Sequence, residues 1–157
     1  MVEASPIVVI GIGNDFRSDD AVGLYVARKI DETGFENVYA VAVISDGTSL
    51  LEHWHTAKAA FIVDCVISGA KPGDIIRFDA IREIIPTKLF SGYSTHAFNV
   101  AEAINLAKSL EQLPPRLIVY GIEGSNFSFG SVISAEVKEA ASKVIDSIVK
   151  EIREISG

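Results

Sequence analysis

Apolar residues along this chain fall into short runs of strand length, separated by segments in which apolar positions recur at helical spacing. "PIVVIGIG" (6–13) is almost continuously aliphatic and ends in glycine, as a strand buried on both faces should. In "SDDAVGLYVARKIDETG" (18–34), Val22, Tyr25, Val26 and Ile30 share one helical face. Ser18 or Asp19 offers an N-cap there, and Gly34 a stop. "NVYAVAVI" (37–44) predicts a second strand, "SLLEHWHTA" (49–57) a short helix, and "KAAFIVDCV" (58–66) a third strand ending at Asp64. "GDIIRFDA" (73–80) alternates more and follows "KPG", which predicts a half-exposed edge strand. Residues 81–96 form a long connection without strong periodicity, a length often associated with function. A helix is expected from about Thr95, with Phe98, Ala101, Ile104 and Ala107 on one face. "PPRLIVYGI" (114–122) reads as the last strand. The segment from Ser134 reads as a long amphipathic helix with Val137, Ala141, Val144, Ile148, Ile152 and Ile155 in register.

Alternating strands and helices predict an α/β fold with a mostly parallel sheet and helices on both faces. At 157 residues, without repeats or a linker, the chain reads as a single domain, 1–157. In such sheets ligands sit beyond the carboxyl ends of the strands. That rule singles out Asp20 after the first strand, Asp64 at the end of the third, and His96 in the loop before a helix.

Composition narrows the function classes. A net charge of −7 argues against a nucleic-acid partner, because neutralising phosphates needs clustered Lys and Arg. No apolar run reaches the roughly 20 residues that span a bilayer. The amino-terminal segment lacks a basic region and carries Glu3, so no signal peptide is expected. The single cysteine, Cys65, allows no internal disulfide. A cytoplasmic protein is therefore expected. Nothing demands a partner helix, so a monomer is expected.

The loop "GIGNDFRSDDAVG" (11–23) admits two chemistries. A dinucleotide fingerprint needs a third glycine where Phe16 stands, and a bulky Phe there is expected to obstruct close helix–strand contact. No P-loop lysine follows. On the bland reading, Gly11 and Gly13 only permit a tight turn, with Asn14 tolerating unusual dihedrals. The carboxylates suggest more. A helix amino terminus favours one of Asp19 and Asp20, and capping leaves the second over. If Asp20 turns toward the crevice it meets Asp64, and the repulsion between them is relieved by a proton or a cation. With the imidazole of His96 the set becomes a mixed nitrogen and oxygen site, suited to nickel or zinc better than magnesium or calcium. Alternatively, Asp64 caps a helix and His96 is a solvated loop residue.

Other candidates rank lower. Cys65 follows Asp64 in a strand, so it faces the opposite side of the sheet and reads as a small buried hydrophobe. His53 and His55 are two apart on a short helix and do not share a face. No G-x-S-x-G elbow occurs. "GSNFSFGS" (124–131) is a loop on the crevice side that lines the site or merely connects.

Taken together, "VVIGIGNDFRSDDAVGLYVA", "FIVDCV" and "GYSTHAF" resemble the three motifs of the hydrogenase maturation endopeptidases, in the right order. "VYGIEG" and "ISAEVKEA" resemble that family's closing strand and carboxy-terminal helix. The resemblance implies a five-stranded twisted sheet between helices. It also implies an endopeptidase that removes the C-terminal peptide of a nickel–iron hydrogenase large-subunit precursor once nickel is inserted. By that resemblance Asp20, Asp64 and His96 are the metal ligands, and the nickel is borne by the substrate rather than held permanently. Asp20 and Asp64 would then do the catalytic work, with Asp19 or Asp64 as general base, while Gly11, Gly13 and Asn14 shape the loop so that Asp20 faces the crevice. "SDGTS" (45–49) stands where the family often has DGGT, a region that bears on which hydrogenase is recognised. Two rival functions are a non-proteolytic binding protein that senses nickel on a hydrogenase subunit, and a nucleotide-binding α/β domain, which Phe16 disfavours.

Overall fold

The computed structural model describes residues 5–44, 49–90 and 99–156. Five strands, β1 (Ile7–Gly13), β2 (Val38–Ile44), β3 (Ala59–Val66), β4 (Ile75–Asp79) and β5 (Leu117–Glu123), form one sheet in the order β2-β1-β3-β5-β4. The first four in that order run parallel, and β4 pairs antiparallel with β5 at the edge. Four α-helices accompany them: α1 (Val22–Asp31), α2 (Leu50–Trp54), α3 (Val100–Ser109) and α4 (Ala135–Ser156). The α/β architecture expected from the alternating pattern is the one observed.

Burial explains the strand sequences. Every residue of β1, β3 and β5 is buried, because helices cover both faces of these central strands. Side chains alternate between two cores. On one face Ile10, Ile62 and Val119 pack with Trp54 of α2 and Ile104 of α3. On the other, Val9, Phe61 and Ile118 pack with Val26 of α1 and Val144 and Ile148 of α4. The same alternation puts Cys65 in the α1/α4 core, so Asp64 belongs to the opposite face. Strand β4 is only half buried, as its alternation predicted. Among the described residues no helix is long and apolar enough to cross a membrane.

Three local expectations need correction. Strand β3 runs two residues past Asp64, because Cys65 and Val66 still pair with Ile122 and Glu123 of β5. The helix expected from Thr95 begins at Val100, where the extended Asn99 accepts a hydrogen bond from the Glu102 amide at 3.0 Å. An asparagine so placed is a strong helix start. Thr95 and Phe98 themselves lie outside the described residues. Neither Ser18 nor Asp19 caps α1: Ala21 precedes the helix, and no side chain caps it.

Helix α4 is tied to the sheet by a polar cluster as well as by its apolar face. The buried Glu151 carboxylate accepts hydrogen bonds from Arg77 of β4, from Arg116 at 3.2 Å and from the Tyr120 hydroxyl at 2.6 Å. Burial would raise its proton affinity, but these donors outweigh burial and hold the carboxyl below its ordinary range. Glu151→Gln keeps the shape and removes the charge that two guanidiniums face, so a loss of about 2 kcal/mol in stability is expected. Because the folded carboxyl is more acidic than the unfolded one, its contribution is complete above the unfolded value. It is lost as pH falls through the folded one. Urea titrations of both proteins at pH 7 and below about pH 4 should therefore show the difference shrinking on acidification.

Candidate active site

The site begins with an unusually close approach of α1 to the sheet. A Cβ on Gly11 would stand 2.0 Å from the carbonyl oxygen of Gly23, and one on Gly23 would stand 2.3 Å from that of Val63. A Cβ on Gly13 would stand 2.0 Å from the carbonyl oxygen of Asp20. Backbone thus lies on backbone at three points, and no side chain fits between. The short 3-10 turn Ser18–Ala21 that opens α1 is pressed onto the carboxyl ends of β1 and β3. Gly23, which closes the loop 11–23 and had no structural role assigned from the sequence, makes the helix–strand contact for which Phe16 seemed an obstacle. Phe16 itself points to solvent. The unusual dihedral in the loop belongs to Ser18, with φ of 53°, and not to Asn14. Asn14 instead accepts a hydrogen bond from the Phe16 amide at 2.9 Å, which tightens the turn.

This approach brings Asp20 and Asp64 together. Asp64 is buried, with one oxygen accepting from the Cys65 amide at 2.8 Å. Burial pushes its proton affinity up, and the Asp20 charge pushes it further. Asp20 is half-buried, and burial raises its proton affinity too, against the backbone N–H of Asn14 and the charge of Arg17. Each carboxylate is therefore better off with a proton or a cation nearby. His96 lies outside the described residues, three positions before Asn99. Among the described residues no group of three His, Cys, Asp or Glu side chains gathers in metal-binding geometry.

Asp19 has a different environment from its neighbour. It is fully buried, and its carboxylate accepts five hydrogen bonds from the segment after β5. Oδ2 takes the Ser125 amide at 2.8 Å, the Asn126 amide at 2.9 Å, and the hydroxyls of Ser125 and Ser134 at 3.2 and 2.8 Å. Oδ1 takes the Ser134 amide at 2.7 Å. Burial alone would raise its proton affinity, but the amides of Ser134, Asn126 and Ser125 outweigh it and keep the carboxyl below its ordinary range. A carboxylate so occupied is a weak base.

The donors Ser125, Asn126 and Ser134 were not singled out in the sequence, although Ser125 and Asn126 lie in the marked loop 124–131. Nor was Glu123, a buried carboxylate at the end of β5 that accepts from the Ser68 amide at 3.0 Å and from its hydroxyl. An acidic residue closing a wholly apolar strand was the available signal, the same one that marked Asp64. Cys65 is buried, and burial with the Asp64 charge pushes its thiol far up, so it is no nucleophile. His53 is half-buried and His55 exposed, on and just beyond α2.

The adjacent aspartates predict opposite mutational signs. Asp19→Asn places an amide against backbone N–H donors and should cost about 1–3 kcal/mol. Asp20→Asn and Asp64→Asn remove mutual repulsion and should leave stability unchanged or raise it at pH 7. A carboxyl whose folded proton affinity is raised favours the folded state at low pH and loses that contribution as pH rises through its folded value. Any gain from the latter two variants should therefore vanish below about pH 4. Thermal midpoints of the three variants at pH 4 and pH 7 check the pattern.

Comparison with known proteins places the chain and its fold. The family model described as HycI: Hydrogenase maturation protease matches residues 24–151. A Methanocaldococcus jannaschii protein, named as a candidate hydrogenase maturation protease, is 27% identical, with 95% of this chain and 89% of that protein aligned. The structure is similar to that of the Escherichia coli hydrogenase maturating endopeptidase HybD, with a TM-score of 0.81 at 18% identity over 95% of this chain and 93% of that one. It is also similar to the [NiFe] hydrogenase maturation protease HybD of Thermococcus kodakarensis, with a TM-score of 0.67 at 25% identity over 92% of this chain and 97% of that one. With the motifs, the sheet and the family model in agreement, the chain belongs to the hydrogenase maturation protease family.

Proposed function

We propose that this protein removes the C-terminal peptide of a nickel–iron hydrogenase large-subunit precursor after nickel has been inserted, and that it recognises the nickel borne by that substrate. The observation that carries the reading is the pair Asp20 and Asp64: two carboxylates forced together at the carboxyl ends of β1 and β3, each with raised proton affinity. A cation arriving with a substrate relieves that repulsion, and a site with open positions suits a metal shared with the substrate. The related T. kodakarensis proteins are named for [NiFe] hydrogenase, which fits nickel as the cation.

In this reading Asp20, Asp64 and His96 engage the nickel and hold the scissile segment beside them. The metal polarises a carbonyl or a water. Of the two proposed bases, Asp64 has the proton affinity raised by burial and by the Asp20 charge, whereas the donors around Asp19 lower its own. Asp19, bound by its five donors, positions the loop instead. The reaction takes place in the cytoplasm, between a monomeric protease and its precursor.

The test uses protease stripped by a chelator, mixed with nickel-loaded or nickel-free precursor, and follows shortening of the large subunit by mass spectrometry. Cleavage of the loaded precursor alone is expected. Asp20→Asn and Asp64→Asn should each slow it about 100-fold or more while remaining folded. Equal cleavage of both precursors would remove nickel as the signal. Tight binding without shortening would make the chain a nickel-sensing binding protein.

A further inference from the structure

We propose that Phe16, Phe129 and Val132, carried with Arg17 on two joined loops, form the surface on which the precursor's polypeptide docks beside the carboxylate pair. The segment it takes is apolar and carries a carboxylate. The inference rests on the precursor reading above and adds to it where, and by what chemistry, the partner is held.

Two loops far apart in sequence build this rim. The Ser18 amide donates to the Gly130 carbonyl at 2.9 Å, and the Gly130 amide donates to the Phe16 carbonyl at 3.0 Å. The Asp19 amide donates to the Asn126 carbonyl, and the Ser18 hydroxyl to the Ser128 carbonyl, both at 2.9 Å. With the five hydrogen bonds to the Asp19 carboxylate, the loops behave as one body. That body holds Phe16, Phe129 and Val132 out in water, at 72%, 79% and 74% exposure. Single exposed apolar residues are ordinary, but three presented together by a cross-linked pair of loops mark a binding surface.

Charge and position identify the occupant. Arg17 lies 4.1 Å over the Phe129 ring. It forms no ion pair among the described residues, whereas its neighbour Asp15 is bonded to Arg28. Residues 124–134 carry no charge, so the rim's free charge is one cation on a protein of net charge −7. The complement is an apolar segment with a carboxylate. Phe16 and Arg17 lead directly into Asp20, and the Arg17 charge acts on that carboxyl, so the rim is continuous with the carboxylate pair. Three such side chains present on the order of 500 Å², short of the roughly 800 Å² per partner that a stable dimer needs. A second copy of this chain is therefore the poorer occupant.

The experiment compares the full-length protein with Phe16→Ser/Phe129→Ser, Arg17→Glu, and the control Ile84→Ser. Ile84 is the most exposed of the large apolar residues and lies beyond the far end of β4. Cleavage of nickel-loaded precursor gives kcat and KM, and interferometry gives precursor affinity whether or not cleavage occurs. The double variant should raise KM and weaken binding about tenfold or more with little change in kcat. Arg17→Glu should weaken binding and flatten its dependence on salt, and the control should change neither. Unchanged affinity in the double variant, while the wild type binds and cleaves, would overturn the rim and leave the protease reading intact. A wild type that binds precursor and loses affinity with the double variant, yet never cleaves, would keep the rim and sink the protease reading. A wild type that neither binds nor cleaves would sink both. A wild-type dimer in sedimentation that the double variant abolishes, with KM unchanged, would give the rim to a second copy instead.

Discussion

Everything at the functional end of this molecule depends on helix α1 starting in direct backbone contact with the sheet. Gly11, Gly13 and Gly23 leave no room for a Cβ at the contact. The 3-10 turn at the start of α1 is thereby pressed against β1 and β3, and Asp20 is carried to Asp64. Were the helix held off by even one methyl group, Asp20 would move away from β3, and the repulsion that favours a cation would fade with distance.

The same contact divides the labour between adjacent aspartates. Asp19 turns toward the loop after β5 and spends its charge on backbone and serine donors. Asp20, one residue on, has little to satisfy it and faces another acid. A satisfied charge and a frustrated one stand side by side: the first ties two loops together, and the second is left beside another acid. Such local frustration is expected where a fold has been shaped for binding. On the function proposed above, the partner of the frustrated pair is the metal carried by the precursor.

The loop bonded to Asp19 also carries Phe129 and Val132 and meets Phe16 and Arg17. One buried carboxylate therefore organises both the approach to the carboxylate pair and the apolar rim beside it. Elsewhere in the fold Glu151 plays a comparable structural part, tying α4 to the edge of the sheet through Arg77, Arg116 and Tyr120.

Strand and helix identity, the mostly parallel sheet, the edge character of β4 and the opposite faces of Asp64 and Cys65 were all legible in the sequence. Each follows from periodicity within a few neighbouring residues, which the chain carries locally. The position of Asp20 and Asp64 at one sheet edge was legible too, because it follows from strand direction. The capping expected of Ser18 and Asp19 was a local inference that failed, since partners more than a hundred positions away, a carbonyl for Ser18 and backbone amides for Asp19, compete for those side chains and win. Gly23 failed to stand out for the same kind of reason: its meaning lies in the carbonyls of Ile12 and Val63 that surround it. The sequence by itself determined which residues could bear charge at the crevice. Only the tertiary structure decided which of two adjacent carboxylates is satisfied by hydrogen bonds and which is left beside another acid, because that depends on donors that the folded chain alone brings within reach.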